Sequence, residues 1–471
     1  MKIIFAEPPI KKKFQSVIPQ NQPYMGILYL ISFLRERIND IQIYYLEGNL
    51  NVEDHINQVR EIKPDLYFLS FTSFISDIAF EIIRKIKSEN PLLPIICGGS
   101  HPTVNPEDVL LNGGDVCVIG EGEETIFELV EYYLNMTIRK QADILGIAYK
   151  ENGNILKTKN RPLIKDLDSI PFPAWDMINI TKYPRSGLSK SYPRATMIVT
   201  RGCPYNCNFC SNPVWKVNKP WLRLRSPQNI AKEVQYLYGM GVREIYLYGD
   251  EFNPVPTWSV EVCREISKLG YKDLFFQTIL HANKVNNDLS KALNDINCWL
   301  VKIGIESGNQ TTLDRIDKKS TLKQVEDACK SLKKYNIKIY GFFMTFHIWE
   351  EEGKLCHETP EESTNTLNYA NNLLSTNLLD YISWGFTVPY PGSQVYDICL
   401  RHNIIDSKKK MTKWDKPPIS YLGIDGKVLQ KIKKKGMILQ ARYNGINGLR
   451  DCGINYIDWN HWLTKLMNIL K

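Results

Sequence analysis

From residue 1 to about 135 the chain alternates short apolar runs with amphipathic stretches of helical period. KIIFAEP, IQIYYLEGN, DLYFLSFTS, LPIICGGSH and VCVIGEGEE read as strands. MGILYLISFLRERI, DHINQVREI, AFEIIRKIKSEN and TIFELVEYYL read as the helices among them. Buried strands alternating with helices predict an open, doubly wound parallel sheet covered on both faces. Ligands of such sheets lie beyond the carboxyl ends of the strands. Small residues gather at those ends: Gly48, Ser70, Thr72, Ser73, Gly98, Gly99, Ser100, Gly120 and Gly122. Their recurrence at successive strands predicts a ligand-facing rim.

The pattern changes over 136–190. ILGIAYKENGNILKTK predicts a hairpin turning at Asn152-Gly153. DLDSIPFPAWDM, with Pro171 and Pro173, predicts an extended connector, so this stretch reads as a linker strapped along a domain. From 191 the strand–helix rhythm resumes. TMIVT, EIYLYGD, LFFQTIL, LVKIGIES, KIYGFFMTFH and YISWGFTVP are the strands, with helices such as SPQNIAKEVQYLYGMG and TLKQVEDACKSLKKYN between them. Six such β/α units predict a partial (β/α)6 barrel with its chemistry at the strand ends. The predicted organisation is a sheet domain over 1–140, a linker over 141–190, the barrel over 191–395 and a mostly helical region over 396–471.

Composition narrows the class. The 471 residues are 43% apolar and 23% charged, the profile of a globular protein. No apolar run reaches the roughly 18–20 residues that span a bilayer. In MKIIFAEPPIKKKF the charges follow the apolar stretch, the reverse of a signal peptide, so a cytoplasmic location is expected. A net charge of +8 is modest for this length and creates no expectation of nucleic acid. The basic run within Lys427–Lys435 reads as a solvated helix face. The tail aromatics Trp414, Tyr421, Tyr443, Tyr456, Trp459 and Trp462 read as packing against the barrel. Eleven cysteines without regular spacing make no disulfide framework. Eight of them, Cys97, Cys117, Cys263, Cys298, Cys329, Cys356, Cys399 and Cys452, read as small buried hydrophobes.

The remaining three fall within eight residues, in VTRGCPYNCNFCSNPVW, as Cys203, Cys207 and Cys210. Thiolates suit zinc or iron–sulfur centres. Zinc sites want four ligands, commonly in paired C-x2-C spacing. No fourth cysteine lies nearby, and the next histidine is His281. Three thiolates on one loop suit a [4Fe–4S] cluster with one iron left open to a cofactor's amine and carboxylate.

C-x3-C-x2-C after a strand resembles the radical S-adenosylmethionine (SAM) superfamily. GDEFN at 249–253 resembles the second-strand motif that holds the methionine amino group, which implies that role for Asp250 and Glu251. GIESGNQTTLDRIDK at 304–318 resembles the fourth-strand segment that meets the ribose and the methionine carboxylate, implying Glu306 and Ser307. Phe209 matches the aromatic beside the adenine, and LRSPQNI and TVPYPGSQVYD match flanking segments. PYMGILYLISFLRE, ICGGSHPTVNPEDVLL and VIGEGEETIFEL are similar to the flavodoxin-like cobalamin-binding domain of one branch. By that resemblance Ser70, Thr72, Gly98, Gly99, Ser100, Gly120 and Gly122 face cobalamin.

The departures are specific. Asp250 stands where G-G-E is the family norm. The D-x-H-x-x-G cobalt-ligating motif is absent, since Asp54 and His55 are adjacent, so no lower histidine ligand is expected. HANKV, with His281 and Asn283, replaces a common arginine. MTFHIWEEEGKLCHETPEE replaces a shorter loop, and its His347 and His357 read as surface histidines. The resemblance implies a cobalamin-dependent radical SAM methyltransferase. It would abstract hydrogen from an unactivated carbon with a 5′-deoxyadenosyl radical and deliver the methyl group of methylcobalamin. A cyclase, coupling or oxidation enzyme of the same architecture is the alternative. The implied partners are a small-molecule, lipid or peptide substrate and an electron donor such as flavodoxin or ferredoxin.

Overall fold

In a computed structural model of the chain, the described residues are 1–9, 22–185, 188–216, 218–406 and 422–452. They fall into two compact units. One comprises Met1–Pro184 with Pro213–Arg223, the other Arg185–Asn212 with most of the chain from Leu224 onwards.

In the first unit β1 (Lys2–Ala6), β2 (Gln42–Leu46), β3 (Leu66–Ser70), β4 (Ile95–Gly98) and β5 (Val116–Val118) pair in parallel, in the order β2-β1-β3-β4-β5. Successive side chains leave opposite faces. Ile3, Phe5 and Phe68 pack against helices Met25–Arg35 and Glu123–Tyr133. Ile4, Tyr67 and Leu69 pack against helices Val52–Ile62 and Ser76–Glu89. Both faces are therefore apolar, which is why these strands read as unbroken hydrophobic runs.

The predicted hairpin forms as β6 (Ile147–Glu151) and β7 (Asn154–Lys157), with φ of 51° at Asn152 and 81° at Gly153. It does more than strap the domain. β6 pairs antiparallel with β5 and extends the sheet to seven strands, because the outer edge of β5 offers unpaired backbone groups. Along the proline connector Ala174 N–H donates to the Leu28 carbonyl at 3.1 Å, and Trp175 is fully buried.

The second unit is built on β8 (Arg194–Ile198), β11 (Glu244–Tyr248), β12 (Phe275–Leu280), β13 (Cys298–Glu306), β14 (Lys338–Thr345) and β17 (Tyr381–Phe386). These pair in chain order, all in parallel. Two short pieces, β9 (Thr200–Arg201) and β10 (Arg223–Leu224), pair with each other. The hairpin β15 (Ile348–Glu351) and β16 (Lys354–His357) follows β14. Helix starts are chemically marked. Ser226 caps Pro227–Gly239, and Thr321 and Thr359 form capping boxes with Gln324 and Glu362. Along β14 burial alternates strictly, one face buried under helices and the other half-buried on the concave side. This is the partial barrel.

Helix Gly426–Cys452 lies along β17. Leu429, Ile432 and Leu439 are buried, while Lys427, Lys431, Lys434 and Lys435 are exposed, as a solvated face requires. Of the tail aromatics, Tyr443 is half-buried and the other five lie outside the described residues. Cys97, Cys117, Cys263, Cys298, Cys329 and Cys399 are buried and Cys356 is half-buried. No described helix is long and apolar enough to cross a membrane.

Candidate active site

The cysteine loop leaves the carboxyl end of β8 through β9 and turns at Gly202, whose φ is 87°. Both halves of the loop are pinned. Tyr205 stacks on His281, ring centroids 4.0 Å apart, and its hydroxyl donates to Asn283 Oδ1 at 3.0 Å. Asn208 donates from its backbone to the Ile316 carbonyl and from Nδ2 to the Ile348 carbonyl, and it accepts from Val395 N–H. Cys210 N–H closes a turn onto the Cys207 carbonyl at 3.0 Å, and Asn212 N–H points at Cys210 Sγ at 3.4 Å.

Burial pushes the Cys203 thiol up to about 12 and Cys207 to about 11, and raises Cys210 as well. Deprotonated thiols here need a cationic partner to hold their charge. Soft, desolvated donors with a backbone amide aimed at one sulfur fit an iron–sulfur cluster. Among the described residues no three His, Cys, Asp or Glu side chains close around a point that one metal ion could occupy.

GDE follows β11. A Cβ on Gly249 would overlap Thr200 Oγ1, which donates to the Glu251 carbonyl at 3.2 Å. Glycine is thus what lets this strand end close on β9. Glu251 is 4% exposed, with Oε2 at 3.8 Å from Cys203 Sγ. Its Oε1 meets no hydrogen-bond donor, and the nearest cation is Lys284 Nζ at 3.8 Å. Burial raises this carboxyl to about 7. A buried carboxylate oxygen without a donor, beside a candidate cluster ligand, fits an incoming ammonium. Asp250 is half-buried beside it.

GIESG ends β13. Glu306 has φ of 69°, at a break in the register with β14, and pairs with Lys318 Nζ at 3.3 Å. Gly304 makes room for that pair, since a Cβ there would overlap both partners. Ser307 points elsewhere. It is fully buried, with Oγ 3.2 Å from Glu358 Oε1 and 3.1 Å from Thr366 Oγ1. Gly308 lets helix Pro360–Ser375 close in, a Cβ there coming within 2.6 Å of Tyr369 Cβ. Within the motif Glu306 reaches the site, and the other residues named shape the turn.

Sequence reasoning missed Glu358 and Lys318. Glu358 accepts from Phe346 N–H at 2.6 Å and from the hydroxyls of Ser307, Thr312 and Ser363. Burial lifts its carboxyl to about 7. The T-P-E-E helix-start signal beside it was visible, but its contact with Ser307, 51 residues away, was not. His347 corrects the expectation of a surface histidine. It is fully buried at the end of β14, with Nδ1 at 3.1 Å from Thr387 Oγ1, and burial lowers it to about 4. His357 is half-buried on β16. His281 is buried, with Nε2 at 3.0 Å from the Lys318 carbonyl. Burial, then the Lys318 ammonium, lowers it to about 3. Phe209 packs beside Ile348 and Val395, tilted at 5.9 Å from His347.

In the first unit the small-residue rim forms at the ends of β3, β4 and β5. Gly99 has φ of 99°, and a Cβ there would stand 2.7 Å from the Phe71 carbonyl. Thr103 Oγ1 donates to the Gly99 carbonyl and accepts from Gly120 N–H, tying the two loops together. Ser70, Gly98, Ser100, Gly120 and Gly122 are half-buried there and Thr72 is exposed. His55 is not on this rim. Its Nε2 lies 2.6 Å from Tyr67 Oη, inside the core. His101 is, but its Nδ1 lies 3.0 Å from Ser73 Oγ and its Nε2 3.3 Å from Asp108.

Comparison with known proteins agrees with this division. Residues 197–353 match the radical SAM superfamily and residues 15–130 the B12 binding domain. An uncharacterised methyltransferase of Pyrococcus horikoshii is 30% identical over 86% of this chain and 84% of its own. The chain therefore belongs to the radical SAM enzymes that carry a B12-binding domain, in their methyltransferase-like branch. Its cofactors are a [4Fe–4S] cluster, SAM and cobalamin. The anaerobic magnesium-protoporphyrin IX monomethyl ester cyclase of Cereibacter sphaeroides is 24% identical over 84% of this chain and 63% of its own. In fold the chain is similar to the cobalamin-dependent SAM radical enzyme OxsB, with a TM-score of 0.72 at 17% identity, covering 94% of this chain and 67% of that one.

Proposed function

We propose that the chain methylates an unactivated carbon as a cobalamin-dependent radical SAM methyltransferase. The observation that carries this reading is the placement of Cys203, Cys207 and Cys210 at the mouth of a parallel barrel, with the donor-poor Glu251 carboxylate 3.8 Å from Cys203 Sγ. When bound, the cluster and SAM supply a 5′-deoxyadenosyl radical, and cobalamin supplies the methyl group. The chain's own part is positional. The three thiols hold the cluster. Glu251 and Asp250 take the methionine ammonium, and Glu306, held by Lys318, takes the ribose. Ser307, bonded to Glu358 and Thr366, shapes the turn that carries Glu306, Phe209 flanks the adenine, and the Ser70–Gly122 rim residues receive cobalamin. Holding reactants in line is worth several orders of magnitude in rate.

We place the protein in the cytoplasm, with flavodoxin or ferredoxin as the electron donor and a small molecule as the substrate class. The cyclase relative favours a second reading, ring closure without methyl transfer. A methyl-labelled SAM assay on the anaerobically reconstituted protein separates the two. Label in the product supports methylation. Turnover with 5′-deoxyadenosine but no label in the product rejects it.

A further inference from the structure

The concave face of the barrel carries two cations that the site above does not use. Lys302, midway along β13, sits with Nζ 3.9 Å from the centroid of the Tyr246 ring. Arg194, opening β8, reaches the same ring at 6.0 Å. Both side chains are half-buried, on the side of the sheet that opens toward the cysteine loop. Among the described residues neither is hydrogen-bonded or ion-paired.

Glu244 is the carboxylate whose charge acts on both cations. Glu244 accepts from Ser191 N–H at 2.9 Å, Gln277 Nε2 at 2.5 Å and Trp299 Nε1 at 2.8 Å. An aromatic face offsets only part of the cost of taking an ammonium out of water. Two such cations converging on one ring against the single charge of Glu244 leave the site with one positive charge in excess. Burial, then the Arg194 guanidinium, lowers Lys302 to about 7, so a bound anion would help it keep its proton. The same face carries Ile198, Tyr248, Ile279, Tyr340 and Phe342, with the neutral polar side chains of Thr196, Gln277 and Ser383 among them.

We infer that Lys302 and Arg194 receive an anionic group of the substrate, a carboxylate or a phosphate, at the foot of the barrel. Lys302 lies four residues before Glu306 on β13, roughly 13 Å at the strand rise of about 3.3 Å per residue. A substrate held there by its charged end would present a carbon roughly that far away to the rim. The inference rests on the radical SAM reading, which makes the barrel mouth the reaction site.

The test uses the full chain, reconstituted anaerobically, and ligand-observed NMR with three probes: benzoate, phenyl phosphate and neutral benzamide. Wild type should bind at least one anion ten-fold or more tighter than benzamide. The preferred anion identifies the substrate's charged group. Lys302→Met should abolish the preference, Arg194→Met should weaken it, and Lys302→Arg should retain it, which also controls for folding. Equal binding of charged and neutral probes by wild type, or a preference that survives both methionine variants, overturns the inference. The radical reading is scored separately. Formation of 5′-deoxyadenosine by the same preparations should vanish in Cys203→Ala, where the anion preference should survive.

Discussion

Single side chains set the chemistry of the barrel mouth, and Glu251 is the clearest case. Its carboxyl is buried beside Cys203, its Oε1 has no donor, and burial lifts it from 4.5 to about 7. Between those values the folded protein binds a proton that the unfolded chain has released. Stability from this group therefore falls as pH rises from 4.5 to 7, and the full cost persists above 7. Glu251→Gln in the cofactor-free protein should match wild type near pH 5. At pH 8 it should exceed wild type by on the order of 2–3 kcal/mol in urea denaturation. A difference that does not change with pH would mean the carboxylate is solvated. An ammonium bound to Glu251 would remove the penalty, so the same variant should lose its advantage once SAM is added.

Elements were more legible than the contacts between them. The β3, β4 and β13 runs are apolar because helices cover them, and that pattern is local. The hairpin at Asn152-Gly153 was legible as a turn, but its pairing with β5 depends on which sheet edge stays open, a tertiary fact. His347 follows β14 where the strand period ends, so nothing local separates a buried histidine from an exposed one. The cysteines announced themselves by spacing, whereas Glu358 and Lys318 act through partners far along the chain or folded back by the turn. Helix Gly426–Cys452 makes a related point. Asn444 Oδ1 accepts from Ile382 N–H at 2.9 Å, and its Nδ2 donates to the Ile382 carbonyl at 2.8 Å, covering an otherwise open strand edge. Asn444→Leu should cost about 1–3 kcal/mol by chemical denaturation. Lys434→Ala on the exposed face should stay within about 0.5 kcal/mol. Equal effects would mean the helix does not serve the edge.

At the scale of the whole molecule, two units each bury a core of their own, and we propose that each offers its rim of strand ends to a different cofactor. The seven-stranded sheet is closed by its own helices and hairpin, and no residue of its small-residue rim belongs to the cysteine loop. Loss of the cluster should therefore leave the first unit's fold intact. The full chain carrying Cys203→Ala, Cys207→Ala and Cys210→Ala should lose the broad iron–sulfur absorption and all 5′-deoxyadenosine formation. It should keep the cobalamin bands of the wild type after identical reconstitution. Gly99→Val supplies the converse, because its φ of 99° and the 2.7 Å approach to the Phe71 carbonyl exclude a side chain. That variant should lose cobalamin while its cluster spectrum persists. If either set of substitutions strips both cofactors, the two rims depend on one another, and the division of labour between the units fails.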